Sequence, residues 1–172
     1  MKKRWLLVPV IGLILILPGI GQMTLSFTER TVEKKFPVPN ISHQELRERI
    51  DDNRAPLLFD TRKMEEFVVG RLKDAIQIDP DMEAEAFMNI HGNKLKDWDV
   101  VFYCSVGYRS SIFLERVEAM AEKAGAGKLY NLRGGIFRWY NENNPVYDED
   151  GETGEIHPYD AVWGALVVKR KK

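Results

Sequence analysis

The chain has 172 residues, a formal net charge of −1, and 44% apolar against 30% charged side chains. That length supports one domain with a real core plus appendages. The near balance of charge excludes a global basic field for nucleic acid and an acidic, disorder-promoting excess. A single cysteine excludes an intramolecular disulfide, a cysteine-rich zinc site and a two-cysteine redox motif within the chain.

Lys2, Lys3 and Arg4 form a basic start, followed by an almost wholly apolar run over residues 5–17 that Pro9 and Gly12 interrupt. The clean run is about a dozen residues, short of the ~20 that span a bilayer. Residues 1–27 therefore read as a signal peptide, with Gly19 and Gly21 near a cleavage point before Gln22. The alternative is a retained N-terminal anchor in the inner membrane through residues 5–20; the bland reading is a buried core helix. With the basic start left in the cytoplasm, the rest of the chain is expected in the periplasm or outside the cell. Residues 28–40 read as a linker: mixed charges lead into Phe36-Pro37-Val38-Pro39-Asn40, whose prolines keep the chain extended.

From residue 41 the pattern becomes that of a folded body. Ser42 and Glu45 form a capping box for a short helix carrying Leu46 and Ile50. Residues 55–60 read as a buried strand ending in Asp60, and residues 61–70 as a brief helical turn closed by Gly70. Residues 75–78 are a second short strand. Residues 80–90 are expected to be helical, with Met82, Ala86 and Ile90 on one side and His91-Gly92-Asn93 as the stop. A third strand runs into Cys104. A helix then places Phe113, Val117, Met120 and Ala124 on one face, and Gly125-Ala126-Gly127 caps it. Residues 128–132 form another strand, Arg133-Gly134-Gly135 a turn, and residues 136–141 a last short helix. Short apolar strands alternating with helices define an α/β fold with a mostly parallel central sheet and helices on both faces. This body ends near residue 146. Residues 147–172 form a C-terminal extension in which Tyr159, Trp163, Leu166 and Val167 supply enough apolar area to dock; the basic last four residues leave a membrane or partner role as the alternative.

The stretch Val100-Val101-Phe102-Tyr103-Cys104-Ser105-Val106-Gly107-Tyr108-Arg109-Ser110-Ser111 is the chemical centre. It is a strand, a tight glycine-containing loop and a helix start, with a thiol at the strand's C-terminal tip. Ligands of open α/β sheets sit there, and loop amides with a helix N-terminus behind them form an anion cradle. The thiolate is the nucleophilic form of cysteine. The bland reading is an inert, buried cysteine that ends a strand. His43, His91 and His157 lack metal-like spacing and read as surface or turn residues.

Four ordered segments together resemble the rhodanese (sulfurtransferase) domain. Asp60-Thr61-Arg62 with Glu65-Glu66-Phe67 and Gly70 is similar to its Asp-x-Arg … Glu-Phe-x-x-Gly segment. Ala75-Ile76-Gln77-Ile78 is similar to its next strand. The run from Cys104 to Ser110 is similar to its Cys-x-x-Gly-x-Arg-Ser loop, and Leu132-Arg133-Gly134-Gly135 with Trp139 and Pro145 to its closing segment. The resemblance implies that Cys104 takes the outer sulfur of a donor as a persulfide, held by the backbone amides of Ser105, Val106, Gly107, Tyr108 and Arg109. It implies no metal and no organic cofactor. The partners it implies are a small sulfur-donor anion and an acceptor that is a thiol, cyanide or a protein cysteine. Asp60, Arg62 and Ser110 are expected to support the loop, Asp60 and Arg62 as an ion pair. Arg109 either binds substrate anions or fixes the loop through a carboxylate, and Trp139 packs. Phosphatases of a related fold carry five residues between Cys and Arg; the four here favour sulfur. Neutral Ser105 stands where single-domain members often carry Arg, which weakens attraction for dianionic thiosulfate. Asp74 replaces the family's glycine, so that loop is expected to differ. The competing readings are a non-catalytic binding module of the same fold and an extracytoplasmic persulfide or redox relay.

Overall fold

The structure is a computed structural model describing residues 18–168 and 170. The apolar run at residues 5–17, on which the leader reading rests, lies outside the described residues. Among those described, no helix is long and apolar enough to cross a membrane.

Five parallel strands form the central sheet: β1 (Asn40–Ile41), β2 (Leu57–Asp60), β3 (Ile76–Gln77), β4 (Val100–Tyr103) and β5 (Leu129–Leu132), in the order β1-β5-β4-β2-β3. β4 lies at the centre and all four of its residues are buried. Side chains alternate across a strand, and β4 shows the result. Val101 and Tyr103 join one core, with Leu58, Leu132, Leu46 of α2 (His43–Asp51) and Ile136, Phe137 and Trp139 of α6 (Gly135–Asn141). Val100 and Phe102 join the other, with Phe59, Phe87 of α4 (Ala84–Leu95) and Phe113, Leu114 and Val117 of α5 (Tyr108–Lys123). Helices therefore cover both faces, which is why the β4 sequence is a continuous apolar run. Half of the expected capping box forms: the Ser42 side chain accepts the Glu45 amide at 3.0 Å, while the Glu45 carboxylate pairs with Arg49 at 2.8 Å. The short helix after β2 is α3 (Met64–Val69).

Three expectations are corrected. The stretch 28–40 is extended only after Lys35; before that it belongs to α1 (Pro18–Lys35), which packs on the body. Leu25 enters the first core, while Val32 and Phe36 enter the second. The charges that suggested a solvated tether have distant partners. Glu29 meets Arg138 at 2.6 Å, and Glu33 meets Arg133 at 2.9 Å. Second, α4 continues through His91-Gly92-Asn93 to Leu95. Its buried side carries Ala84, Phe87, His91 and Leu95, whereas Ile90 is exposed. His91 is thus a core residue beside the Phe59 and Phe87 rings, and burial lowers its pKa. Third, the buried side of α5 is Phe113, Leu114, Val117 and Ala121 rather than a stripe ending at Ala124.

Asp74 adopts φ 58, the left-handed region that suits glycine, so the backbone at this departure takes a glycine-like conformation. The C-terminal extension docks. It contributes a small antiparallel pair, β6 (Val146–Tyr147) with β7 (Glu152–Thr153), and the single-turn α7 (Ala161–Gly164). Asn141 ties the extension down from both sides: its amide donates to the Leu166 carbonyl at 2.7 Å and its oxygen accepts the Val168 amide at 2.8 Å. Arg170 donates to the carbonyls of Tyr140 and Asn144 and stacks on the Tyr140 ring.

Candidate active site

β4 delivers Cys104 to the C-terminal edge of the sheet, and α5 begins four residues later at Tyr108. The turn between them needs Gly107, whose φ of 92° lies in the left-handed region and whose missing Cβ would crowd Asn131 and the Leu132 carbonyl. The Gly107 amide donates to Cys104 Sγ at 3.2 Å. The loop is held from behind by α6. The carbonyls of Cys104 and Ser105 accept the amides of Ile136 and Phe137 at 2.9 and 3.0 Å. A side chain at Gly135 would overlap the Cys104 carbonyl, so Gly134-Gly135 is what lets α6 approach. From below, Ser111 Oγ donates to the Gly107 carbonyl at 2.7 Å, and Ser110 Oγ donates to Asn131 Oδ1 at 2.6 Å.

Arg109 is taken by a carboxylate. Its two terminal nitrogens donate to Glu66 Oε2 and Oε1 at 2.7 and 2.8 Å, a bidentate pair, and one also reaches Ser105 Oγ at 3.0 Å. Ser105 Oγ in turn donates to Glu66 at 3.2 Å. Burial opposes the charge on Arg109, but its bonds to Glu66 and the Cys104 sulfur beside it outweigh burial and raise its pKa. Burial likewise works to raise the Glu66 pKa, and Arg109 together with the Lys63 amide overcomes it and lowers the value. Asp60 and Arg62 form a second pair, with neither side chain exposed at all. Arg62 also donates to the Gly70 carbonyl at 2.7 Å, fixing the end of α3, which carries Glu66. Tyr103 sits over this pair, and burial raises its phenol pKa well above the ordinary value.

Cys104, Ser105, Val106, Tyr108 and Arg109 thus line one cavity of about 410 Å³, whereas Gly107 does not line it and instead makes the turn and bonds the sulfur. Ser110, Asp60 and Arg62 do not line it; they brace the loop and α3. Glu66 is a site residue the sequence reading quoted only as part of a motif. Its signal was there, since it lies four residues after Arg62 on the helix that ends at Gly70. Phe27, Thr28, Thr31, Val32, Tyr159 and Trp163 also line the cavity. Local pattern held no signal for these, because they come from α1 and the extension. Among the described residues, no three or more His, Cys, Asp or Glu side chains gather as metal ligands.

A parallel sheet with a cysteine loop at its carboxyl edge, locked by an internal Arg–Glu pair, defines an α/β domain that holds a buried thiol against the Gly107 amide beside a cavity. The rhodanese-like domain family matches residues 42–142, and the chain belongs to that family. It is 32% identical over 114 residues to a sulfurtransferase of Allochromatium vinosum, a match covering 66% of this chain and 99% of that protein. It is also 32% identical over 103 residues to a tRNA uridine(34) hydroxylase of Bordetella avium, where the match covers 58% of this chain but 41% of that protein. Among solved structures, a rhodanese-related protein of Thermoplasma volcanium superposes with a TM-score of 0.50 at 23% identity, covering 64% of this chain and 99% of that one, which shows the shared fold.

The Glu66–Arg109 bridge carries a pH dependence. The folded pKa of Glu66 lies below its ordinary 4.5, so its contribution is complete above that value and is lost as pH falls through the folded pKa. Urea titrations of wild type and Glu66→Gln are expected to show a stability gap at neutral pH that narrows as pH drops below 4.5. A gap constant across that range would mean that the carboxylate is not ionised in the pair.

Proposed function

We propose that the protein is a sulfurtransferase that carries a sulfane sulfur on Cys104 as a persulfide. The observation that supports this most directly is the Cys104 loop. The sulfur already accepts the Gly107 amide, the loop carbonyls face α6, and the cavity opens over the thiol. The Cys104 thiolate attacks the outer sulfur of the donor; the donor's remaining atoms leave with the bonding electron pair, and the terminal persulfide sulfur settles against the loop amides. A thiophilic acceptor then takes that sulfur and returns the thiolate. Preorganised amides stabilise the anionic sulfur in both halves without moving. The sulfurtransferase name of the full-length Allochromatium match supports the same reading. The test is thiocyanate formation from cyanide together with intact-mass analysis of the protein after exposure to a sulfur donor. One added sulfur atom on Cys104 is expected. Neither turnover nor added sulfur with a panel of donors would overturn the proposal.

Residues 2–17 support export as a companion proposal. A cut before Gln22 would leave the docked residues Leu25, Glu29 and Val32 with the domain. Mature N-terminal sequencing checks it, with a start at or near Gln22 expected.

A further inference from the structure

The chamber over Cys104 is not built by the matched domain alone. Residues 42–142 supply its floor, while Phe27, Thr28, Thr31 and Val32 of α1 and Tyr159 and Trp163 of the extension supply its walls. These walls are firmly placed. α1 is pinned by Leu25, by Val32 and by the Glu29–Arg138 pair, and Lys35 Nζ donates to the Tyr108 hydroxyl at 2.6 Å. Trp163 packs against the core, and the Tyr159 ring lies under the Arg109 guanidinium at 5.1 Å. The lining is dominated by aromatic and aliphatic carbon.

The charge at the site points the same way. Arg109 is the only cationic side chain lining the chamber among the described residues, and Glu66 neutralises it through two short hydrogen bonds. Ser105, the position beside the thiol, is neutral and turned toward Glu66. A compact dianion would find in the lining only an arginine already paired to Glu66, with the Lys35 ammonium held on the Tyr108 hydroxyl outside that lining, and would leave most of about 410 Å³ to water. A chamber of this size is ordinary for an organic small molecule, with apolar walls gripping the body and a few polar groups fixing the head.

We infer that α1 and the C-terminal extension make this site selective for sulfur donors with an apolar, ring-sized body, the sulfane sulfur pointing at Cys104 and the body against Phe27, Tyr159 and Trp163. This rests on Cys104 as the sulfur carrier. With a thiosulfonate as donor the step balances. The Cys104 thiolate forms a bond to the outer sulfur, the bond between the two donor sulfurs breaks, and the sulfinate leaves with the electron pair; no outside oxidant or reductant takes part.

Benzenethiosulfonate and methanethiosulfonate share one monoanionic reacting head and differ only in the body, so their comparison tests the walls. Loading of Cys104 by each is followed by mass, and kcat/KM by thiocyanate release, on the full chain. The phenyl donor is expected to exceed the methyl donor by about tenfold or more, since the ring's apolar area leaves water at the walls. Phe27 is 71% exposed, so Phe27→Ala is expected to leave the fold intact, checked by its melting temperature, and to lower that phenyl-to-methyl ratio about threefold or more. Equal use of the two donors, or a ratio unmoved by Phe27→Ala, overturns the inference while sulfur transfer stands. Failure of every donor, thiosulfate included, to load Cys104 overturns the sulfurtransferase reading and this inference together.

Discussion

Replacing Asp60 with alanine is expected to lower the free energy of unfolding by about 3–5 kcal/mol, the cost of stranding one partner of a buried ion pair. Both side chains are fully buried, and Arg62 Nε and Nη2 donate to the two Asp60 oxygens at 2.9 and 2.6 Å. Arg62 Nη1 has no hydrogen-bond partner among the described residues, so without Asp60 the guanidinium keeps little besides the Gly70 carbonyl. Removing both partners is a different experiment. Asp60→Ala with Arg62→Leu is expected to recover a substantial part of the loss, because no charge is left buried. Urea unfolding of the two single variants and the double variant reads this directly. A single-variant loss under about 1 kcal/mol would show that water reaches the pair and screens it as it does a surface one.

Cys104→Ser is expected to abolish sulfur transfer, a fall of about 10³-fold or more to the uncatalysed background, with little change in melting temperature. A hydroxyl matches the thiol in shape and can still accept from the Gly107 amide, which donates to Sγ at 3.2 Å in the wild type, but it cannot hold sulfur in a persulfide. The two measurements must be made together. Lost turnover with an intact fold assigns the chemistry to the sulfur atom. Retained turnover in Cys104→Ser would falsify the persulfide route, since the chain has no second cysteine to replace it.

The parts of this molecule that were legible in the sequence are those that local physics writes locally. The continuous apolar run of β4, the Ser42 cap on the Glu45 amide and the tight loop around Gly107 each follow from neighbours a few residues away. The spacing from Cys104 to Arg109 located the loop for the same reason. What the spacing left open was which way Arg109 points, because its partner Glu66 lies 43 residues earlier. His91 was misread because a His-Gly-Asn sequence resembles a stop. The burial of Phe87, His91 and Leu95 on one side outweighs the weak helix propensity of Gly92. The largest omission was α1. Charged residues between Glu29 and Lys35 give a weak amphipathic pattern, and their meaning is carried by Arg133 and Arg138 about a hundred residues away. The aromatic walls of the chamber escaped notice for a related reason: Phe27 and Trp163 become neighbours only when both ends of the chain fold back over the same loop.

The docking of α1 also fixes an orientation. A flexible linker in its place would leave Phe27 free to point anywhere and that side of the cavity over Cys104 without a wall. Seated on both cores through Leu25 and Val32, α1 instead acts as a rigid strut that holds Phe27 at the cavity wall. The side from which a small molecule can reach Cys104 is therefore set by an element outside the matched family domain, so access to the thiol is not dictated by the rhodanese-like body alone.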